Sequence, residues 1–216
     1  YGLAGFAQGN GTMVANTVNN PLSISGLTQN TTYEFYVQSD CGGGDLSYWA
    51  GPFSFTTLCG VASVPYLEDF ESATIPAIPN CTSIENTGIG TDWRTSASYA
   101  FSSNVLNYSY HASSNPGNAN SWFYTQGVEL EAGVNYSISY DYGNNTTYYI
   151  ESMKVAFGSL AIESSMTTNL ADYPSIQTNS VLSATIDFVV PTDGVYYFGF
   201  NAYSIEDQNQ LYVDNI

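Results

Sequence analysis

The chain has 216 residues, 44% hydrophobic and 15% aromatic, with nineteen acidic residues against two basic ones and a formal net charge of -17. A surface of that sign repels phosphate backbones and anionic lipid, which argues against nucleic acid and the membrane surface as partners. Nineteen tyrosines argue against a disordered acidic chain, and no apolar run approaches the ~20 residues of a membrane span. The abundance of Tyr, Thr, Ser, Asn and Gly is strand and turn chemistry. The excess of carboxylates suits hard divalent cations such as calcium, or serves only to keep a surface protein soluble. Tyr1 does not begin a signal peptide and the opening reads as mid-domain sequence, so a fragment of a longer exported protein is expected.

In chain order, Leu22–Ser25 alternates and ends at Gly26-Leu27. Thr32–Val37 and Trp49–Thr57 are strand candidates separated by the turn cluster Gly42–Asp45, so 32–41 and 49–58 are predicted to form a hairpin. Leu27 followed by Tyr33 across Thr-Gln-Asn-Thr-Thr suits a tyrosine corner, in which the phenol bonds back to the corner backbone. Residues 26–37 and 49–57 resemble the E–F corner, F strand and G strand of a fibronectin type III domain, and the Tyr1–Phe6 opening resembles the version found in exported Bacteroidota proteins. The resemblance implies that residues 1–58 are a partial fibronectin type III sandwich lacking its N-terminal strands, with its inner face uncovered.

Three cysteines in a chain of extracellular character leave one unpaired. Cys41 sits at the loop end of the predicted hairpin and Cys59 at its far end, roughly 26 Å away at ~3.3 Å per residue, whereas a disulfide needs Cα atoms within ~7 Å. Those two should not pair. Cys59 and Cys81 can, leaving Cys41 for a partner upstream; three free thiols are the alternative. Between Cys59 and Cys81, Asp69-Phe70-Glu71 reads as a strand with both carboxylates on one face.

From residue 60 onward the pattern is of short strands. Val134–Tyr142 alternates Val, Tyr, Ile, Tyr and Tyr with Asn, Ser, Ser and Asp, the mark of a half-buried antiparallel strand, and Met153, Val155 and Phe157 alternate likewise. Val105–His111, Ser121–Thr125, Val128–Leu130 and Leu211–Ile216 are further candidates, and Asp187–Val190 with Val195–Phe200 flanks a Pro-Thr-Asp-Gly turn as a predicted hairpin. No window carries an apolar 3.6 repeat. The economical architecture is all-β: the partial sandwich followed by an antiparallel jelly-roll β-sandwich over 59–216.

Pro65–Glu71, Pro79-Asn-Cys81, Thr91-Asp-Trp93, Ala119–Thr125, Val128–Tyr136, Gly194–Phe200 and Leu211–Ile216 together resemble, in order, the MAM-like jelly roll of gingipain cleaved adhesin domains. That resemblance implies an extracellular or outer-surface protein exported by the type IX machinery, with a host or neighbouring-cell protein or glycan as partner. It also implies that the first and last strands of the module lie together, which makes Glu71 and Asp214 the leading calcium ligands, with Asp92 and Asp69 as weaker ones. The family often has two acids before the terminal Ile, and here the second is Asn215.

No catalytic signature is present. G-x-S-x-G, HExxH and phosphate-cradling glycine loops are absent from the sequence, and the lone His111 can build neither a nitrogen-ligand zinc site nor a convincing triad. Tyr108, Tyr110, Tyr148 and Tyr149, set among Asn and Ser, are a candidate sugar-stacking surface, with ordinary packing as the bland reading. The functional expectation is a non-catalytic adhesin or scaffolding module. A glycan-targeting accessory module of a secreted hydrolase, or a repeating unit of a surface filament, is the alternative.

Overall fold

The computed structural model describes residues 1–14, 21–97, 101, 104–110, 112, 114 and 116–216. The chain is all-β and divides into two compact units, Tyr1–Gly60 and Val61–Ile216. No helix among the described residues is long and apolar enough to cross a membrane.

Unit 1 is a three-stranded antiparallel sheet in the order β1 (Gly2–Leu3), β2 (Thr32–Val37), β3 (Ala50–Thr56). The predicted hairpin is therefore present. Its strength lies in cross-strand aromatic pairs, Tyr33 with Phe55 at 5.9 Å and Phe35 with Phe53 at 5.4 Å between ring centroids. The tyrosine corner forms as read, the Tyr33 hydroxyl accepting from the Thr28 amide at 3.0 Å. Leu22–Ser25, in contrast, forms no strand. Four alternating residues without a bonded neighbour on either side gain no ladder. Tyr33→Phe removes the corner acceptor and is expected to weaken local protection by about 1 kcal/mol. Amide exchange at Thr28 should then quicken roughly fivefold while unit 2 amides are unchanged.

Unit 2 is a two-sheet sandwich with jelly-roll character. In chain order its strands are β4 (Ser83–Asn86), β5 (Arg94–Ala97), β6 (Asn104–Ser109), β7 (Ser121–Tyr124), β8 (Val128–Leu130), β9 (Tyr136–Asn144), β10 (Glu151–Gly158), β11 (Thr168–Ile176), β12 (Leu182–Phe188), β13 (Gly194–Ala202) and β14 (Gln210–Asp214). One sheet has the order β11-β10-β13-β7-β4, with β8 also on β13, and the other β12-β9-β14-β6-β5. The core between them is aromatic, with Tyr140 of β9 meeting Phe200 of β13 edge-on at 5.2 Å and Phe157 of β10 meeting Phe188 of β12 at 5.3 Å. Cys59 and Cys81 are disulfide-bonded, and Cys41 is a free, exposed thiol.

Two predicted elements differ. Asp187–Val190 and Val195–Phe200 are not a hairpin: β12 pairs with β9, while β13 pairs with β10, β7 and β8 of the other sheet. The Pro191–Gly194 turn carries the chain across the core, and Phe188 and Phe198 meet from facing sheets at 5.4 Å. A four-residue turn motif is compatible with either connection, and the buried rings on both flanks select the crossing. Asp69-Phe70-Glu71 is not a strand either. The Glu68 carboxylate accepts from the Phe70 amide at 2.8 Å and the Asp69 carboxylate from the Glu71 amide at 3.2 Å, and Phe70 has a φ of +58°. Acidic side chains bonding their own backbone compete with a ladder and make a turn instead.

Candidate functional site

The turn at 68–71 meets the end of β14. The Glu68 and Ile216 backbones bond each other reciprocally, at 2.9 and 3.0 Å. Between them the fully buried Phe70 ring packs on Phe123 at 5.6 Å. This anchors four carboxylates from two sequence-distant segments: Glu68, Asp69 and Glu71 on the turn, Asp214 at the end of β14. A fifth, Asp141 on β9, lies directly opposite Asp214 in the register.

Asp214 is only 3% exposed. Burial pushes its carboxyl up to about 6, the charges of Asp141, Glu71 and Asp69 add to the rise, and the Asn215 amide opposes it. Burial likewise raises Glu68, with Asp69 and Asp214 adding to it and the Phe70 amide opposing. Asn215 takes a left-handed φ of +51°, turns its amide N–H onto Asp214 at 2.8 Å and donates its side-chain NH2 to Asp141 at 2.9 Å. A second acid at 215 would place another negative charge there, so the amide relieves repulsion where the resembled family often has a carboxylate. The two basic side chains are engaged elsewhere: Arg94 donates to Ser109 at 2.8 Å, and the Lys154 ammonium lies 5.6 Å from the Tyr203 ring centroid.

Glu71, Asp69 and Asp214 are therefore brought within electrostatic reach of one another. Asp92 does not join them; it is exposed in the β4–β5 connection and accepts from the Asn86 side chain at 3.0 Å. Glu71 is itself tied, accepting from the Asn104 amide at 2.8 Å. Among the described residues no three His, Cys, Asp or Glu side chains converge as a ready metal cage. The donor chemistry suits a hard cation, but backbone carbonyls or water must complete its shell. Sequence reasoning missed Glu68 and Asp141. The sequence held one signal for Asp141, an acid on the polar face of a strongly alternating strand, and none for the register that sets it against Asp214.

At the other end of β14, Tyr110, Tyr149, Asp207, Gln208 and Asn209 line an open cleft of about 430 Å³. The backbone of Asn209 is held by the fully buried Glu151, which accepts from the Asn209 amide at 2.7 Å and from the Ser204 hydroxyl at 2.6 Å. Gln208 reaches across to accept from the Ile150 amide at 2.7 Å. Of the four predicted tyrosines, Tyr110 and Tyr149 meet here, and Tyr148 stands beside Tyr149 at 87% exposure. Tyr108 does not contribute. It is 1% exposed in the core against Trp93, 5.8 Å between centroids, and burial pushes its hydroxyl up to about 12 with Glu151 adding. It lies on β6, whose two faces are both buried at 105–108. His111 lies outside the described residues.

No protein-family description matches the chain, and no curated protein matches it. Solved structures with a similar fold include the K1 and K3 cleaved adhesin domains of Lys-gingipain from Porphyromonas gingivalis. K1 aligns at TM-score 0.55 and 16% identity over 69% of this chain and 94% of that domain. K3 aligns at TM-score 0.55 and 18% identity over 70% and 95% respectively, and the K2 domain of Lys-gingipain at 0.55 and 17% over 69% and 96%. At such identity the likeness is one of fold.

Proposed function

We propose that the chain is a non-catalytic, extracellular adhesion module of a larger protein exported by the type IX system. Unit 1 is the C-terminal part of a fibronectin type III domain, a reading supported by the Tyr33–Thr28 corner. Unit 2 is a cleaved-adhesin-type jelly roll. The observation that carries this reading is the match of unit 2's fold to nearly the whole length of known cleaved adhesin domains. The Cys59–Cys81 disulfide agrees with an oxidising exterior. Calcium belongs to the same proposal, held by Asp214, Asp141, Glu71 and Asp69 with backbone oxygens, neutralising an acidic cluster that has no cationic side chain bonded to it among the described residues.

The Tyr110–Tyr149 cleft favours glycan as a second ligand class, because two exposed rings beside Asn, Gln and Asp side chains offer stacking and hydroxyl partners together. Binding of the chain to immobilised extracellular-matrix proteins and to a glycan array separates the readings. Saturable binding to a matrix protein that survives Tyr110→Ala with Tyr149→Ala supports protein adhesion. Sugar binding lost in that double variant, by at least tenfold, supports the glycan reading. Binding to neither array would count against both.

A further inference from the structure

The outward face of the β11-β10-β13-β7-β4 sheet carries a second constellation, built from residues that belong to neither the cleft nor the acidic cluster. Across it Glu85, Trp122, Asn201, Lys154 and Asp172 stand in one register row, each opposite the next on neighbouring strands. In the adjoining row are Tyr124, Gly199 and Ala156. Trp122 and Tyr124, two residues apart on β7, hold their rings 8° from parallel with centroids 5.9 Å apart. Beside them the sheet is bare: a Cβ on Gly199 would stand 2.9 Å from the Trp122 ring and 2.8 Å from the Met166 sulfur.

This aromatic pair is roofed by one segment, residues 159–167, which includes a 3₁₀ turn at Glu163–Ser165 with no buried residue of its own. Ala161 and Met166 pack onto Trp122, Tyr124 and Ala156. The roof is latched through carboxylates. The Glu163 amide donates to Glu85 at 2.6 Å, and the Glu163 carboxylate accepts from Thr87 at 2.9 Å and Asn120 at 2.8 Å. Glu85 also accepts from the Tyr124 hydroxyl at 2.8 Å, which fixes that ring. The two carboxylates thus hold the latch through separate sets of donors, with no cationic side chain bonded to either among the described residues.

Under the closed roof two buried polar atoms have no partner among the described residues, the Trp122 indole N–H and the Asn201 carbonyl oxygen, on residues 4% and 6% exposed. The orientation of Asn201 follows from its neighbours. A carboxylate can only accept, so Asn120 turns its NH2 to Glu163. The Asn120 oxygen then takes the Asn201 NH2 at 2.9 Å, and the Asn201 oxygen is left over. Trp93, by comparison, donates its indole N–H to Ser121 at 2.7 Å. Unmade hydrogen bonds of this kind are costly and uncommon. Here a donor and an acceptor sit on directly paired residues, beside two near-parallel rings, under a cover that buries little.

We propose that residues 159–167 are a displaceable cover over a carbohydrate subsite on this face, in which Trp122 and Tyr124 contact the face of a sugar ring while one hydroxyl accepts from Trp122 and donates to Asn201. A hydroxyl is the common group that does both at once. The ligand is a neutral pyranoside, because Glu85 and Glu163 border the site and would repel a uronate or sulfated sugar. Cover opening is part of binding, so weakening the latch strengthens apparent affinity.

The test is titration of the 216-residue chain with neutral hexaoses of glucose, xylose and mannose, followed by tryptophan fluorescence and calorimetry. Glu163→Ala is expected to tighten binding at least fivefold. Trp122→Phe, which keeps a ring but removes the N–H, is expected to weaken it about tenfold with the melting temperature little changed. Hydrogen exchange of the 160–167 amides should rise on saturation with sugar. No binding by either the parent chain or a folded Glu163→Ala variant would overturn the subsite. Binding that ignores Trp122→Phe but disappears in Tyr110→Ala with Tyr149→Ala would also overturn it, while leaving the cleft's glycan reading intact.

Discussion

In the presence of chelator, unit 2 should melt at a higher temperature near pH 4.5 than at pH 7.5, and calcium should close that gap. The sign follows from Asp214, whose carboxyl is raised from 3.8 to about 6 in the fold. Between those values the folded chain keeps a proton that the unfolded chain releases, so stability is full below pH 3.8 and declines as pH rises through 6. Between pH 4.5 and 7.5 that rise is worth about 2 kcal/mol, or about 4–8 °C for a unit of this size. The raised Glu68 acts in the same direction. A divalent cation reverses the sign, because it binds the deprotonated form and only the folded chain assembles the oxygens. Scanning calorimetry at both pH values, with EDTA and with calcium, checks it. Asp214→Asn should flatten the pH dependence and remove the calcium response together. Equal melting temperatures in EDTA and calcium at pH 7.5 would dispose of the calcium proposal.

The second large effect is expected at Phe70. Phe70→Ala should destabilise unit 2 by about 3–5 kcal/mol, because it empties a fully buried ring site against Phe123. Phe70→Gly should be no worse, and better by up to about 1 kcal/mol, since the position has a φ of +58° that glycine adopts without strain. Glycine ordinarily loses to alanine, so this inversion is a sharp signature of the turn. Urea unfolding read by tryptophan fluorescence measures both variants. A Gly variant weaker than the Ala variant by 1 kcal/mol or more would mean the left-handed turn is not maintained.

In unit 2 the interior strands were legible in the sequence and most of the edge strands were not. β9 and β10 announce themselves by alternation because one face meets the aromatic core and the other does not. In that unit β4, β5 and β11 matched no candidate, and all three lie at sheet edges. Ser-Ile-Glu-Asn and Arg-Thr-Ser-Ala are short and polar, and β11 carries Pro174, a residue tolerated at an edge but a sign against a central strand. The candidate site was partly legible for a related reason. Glu71 and Asp214 followed from an expectation that the module's first and last segments meet. Asp141 depends on strand register, and Glu68 on a turn that its own side chain helps to make. Tyr108 was misplaced because β6, polar in half of its residues, is nonetheless buried on both faces.

The disulfide would have a mechanical consequence if the chain were pulled. A pull arriving along unit 1 reaches Cys59 and passes through the sulfur–sulfur bond to Cys81, directly ahead of β4. Residues 60–80 then form a slack loop off the load path. Glu68, with its reciprocal bonds to Ile216, the Phe70 anchor and the turn carboxylates all lie in that loop. With the thiols reduced, the same pull runs through Glu68 and loads its pair with Ile216 from one side, peeling two hydrogen bonds in succession. Oxidation state therefore sets whether force is borne by a covalent bond or by the turn that gathers the acids.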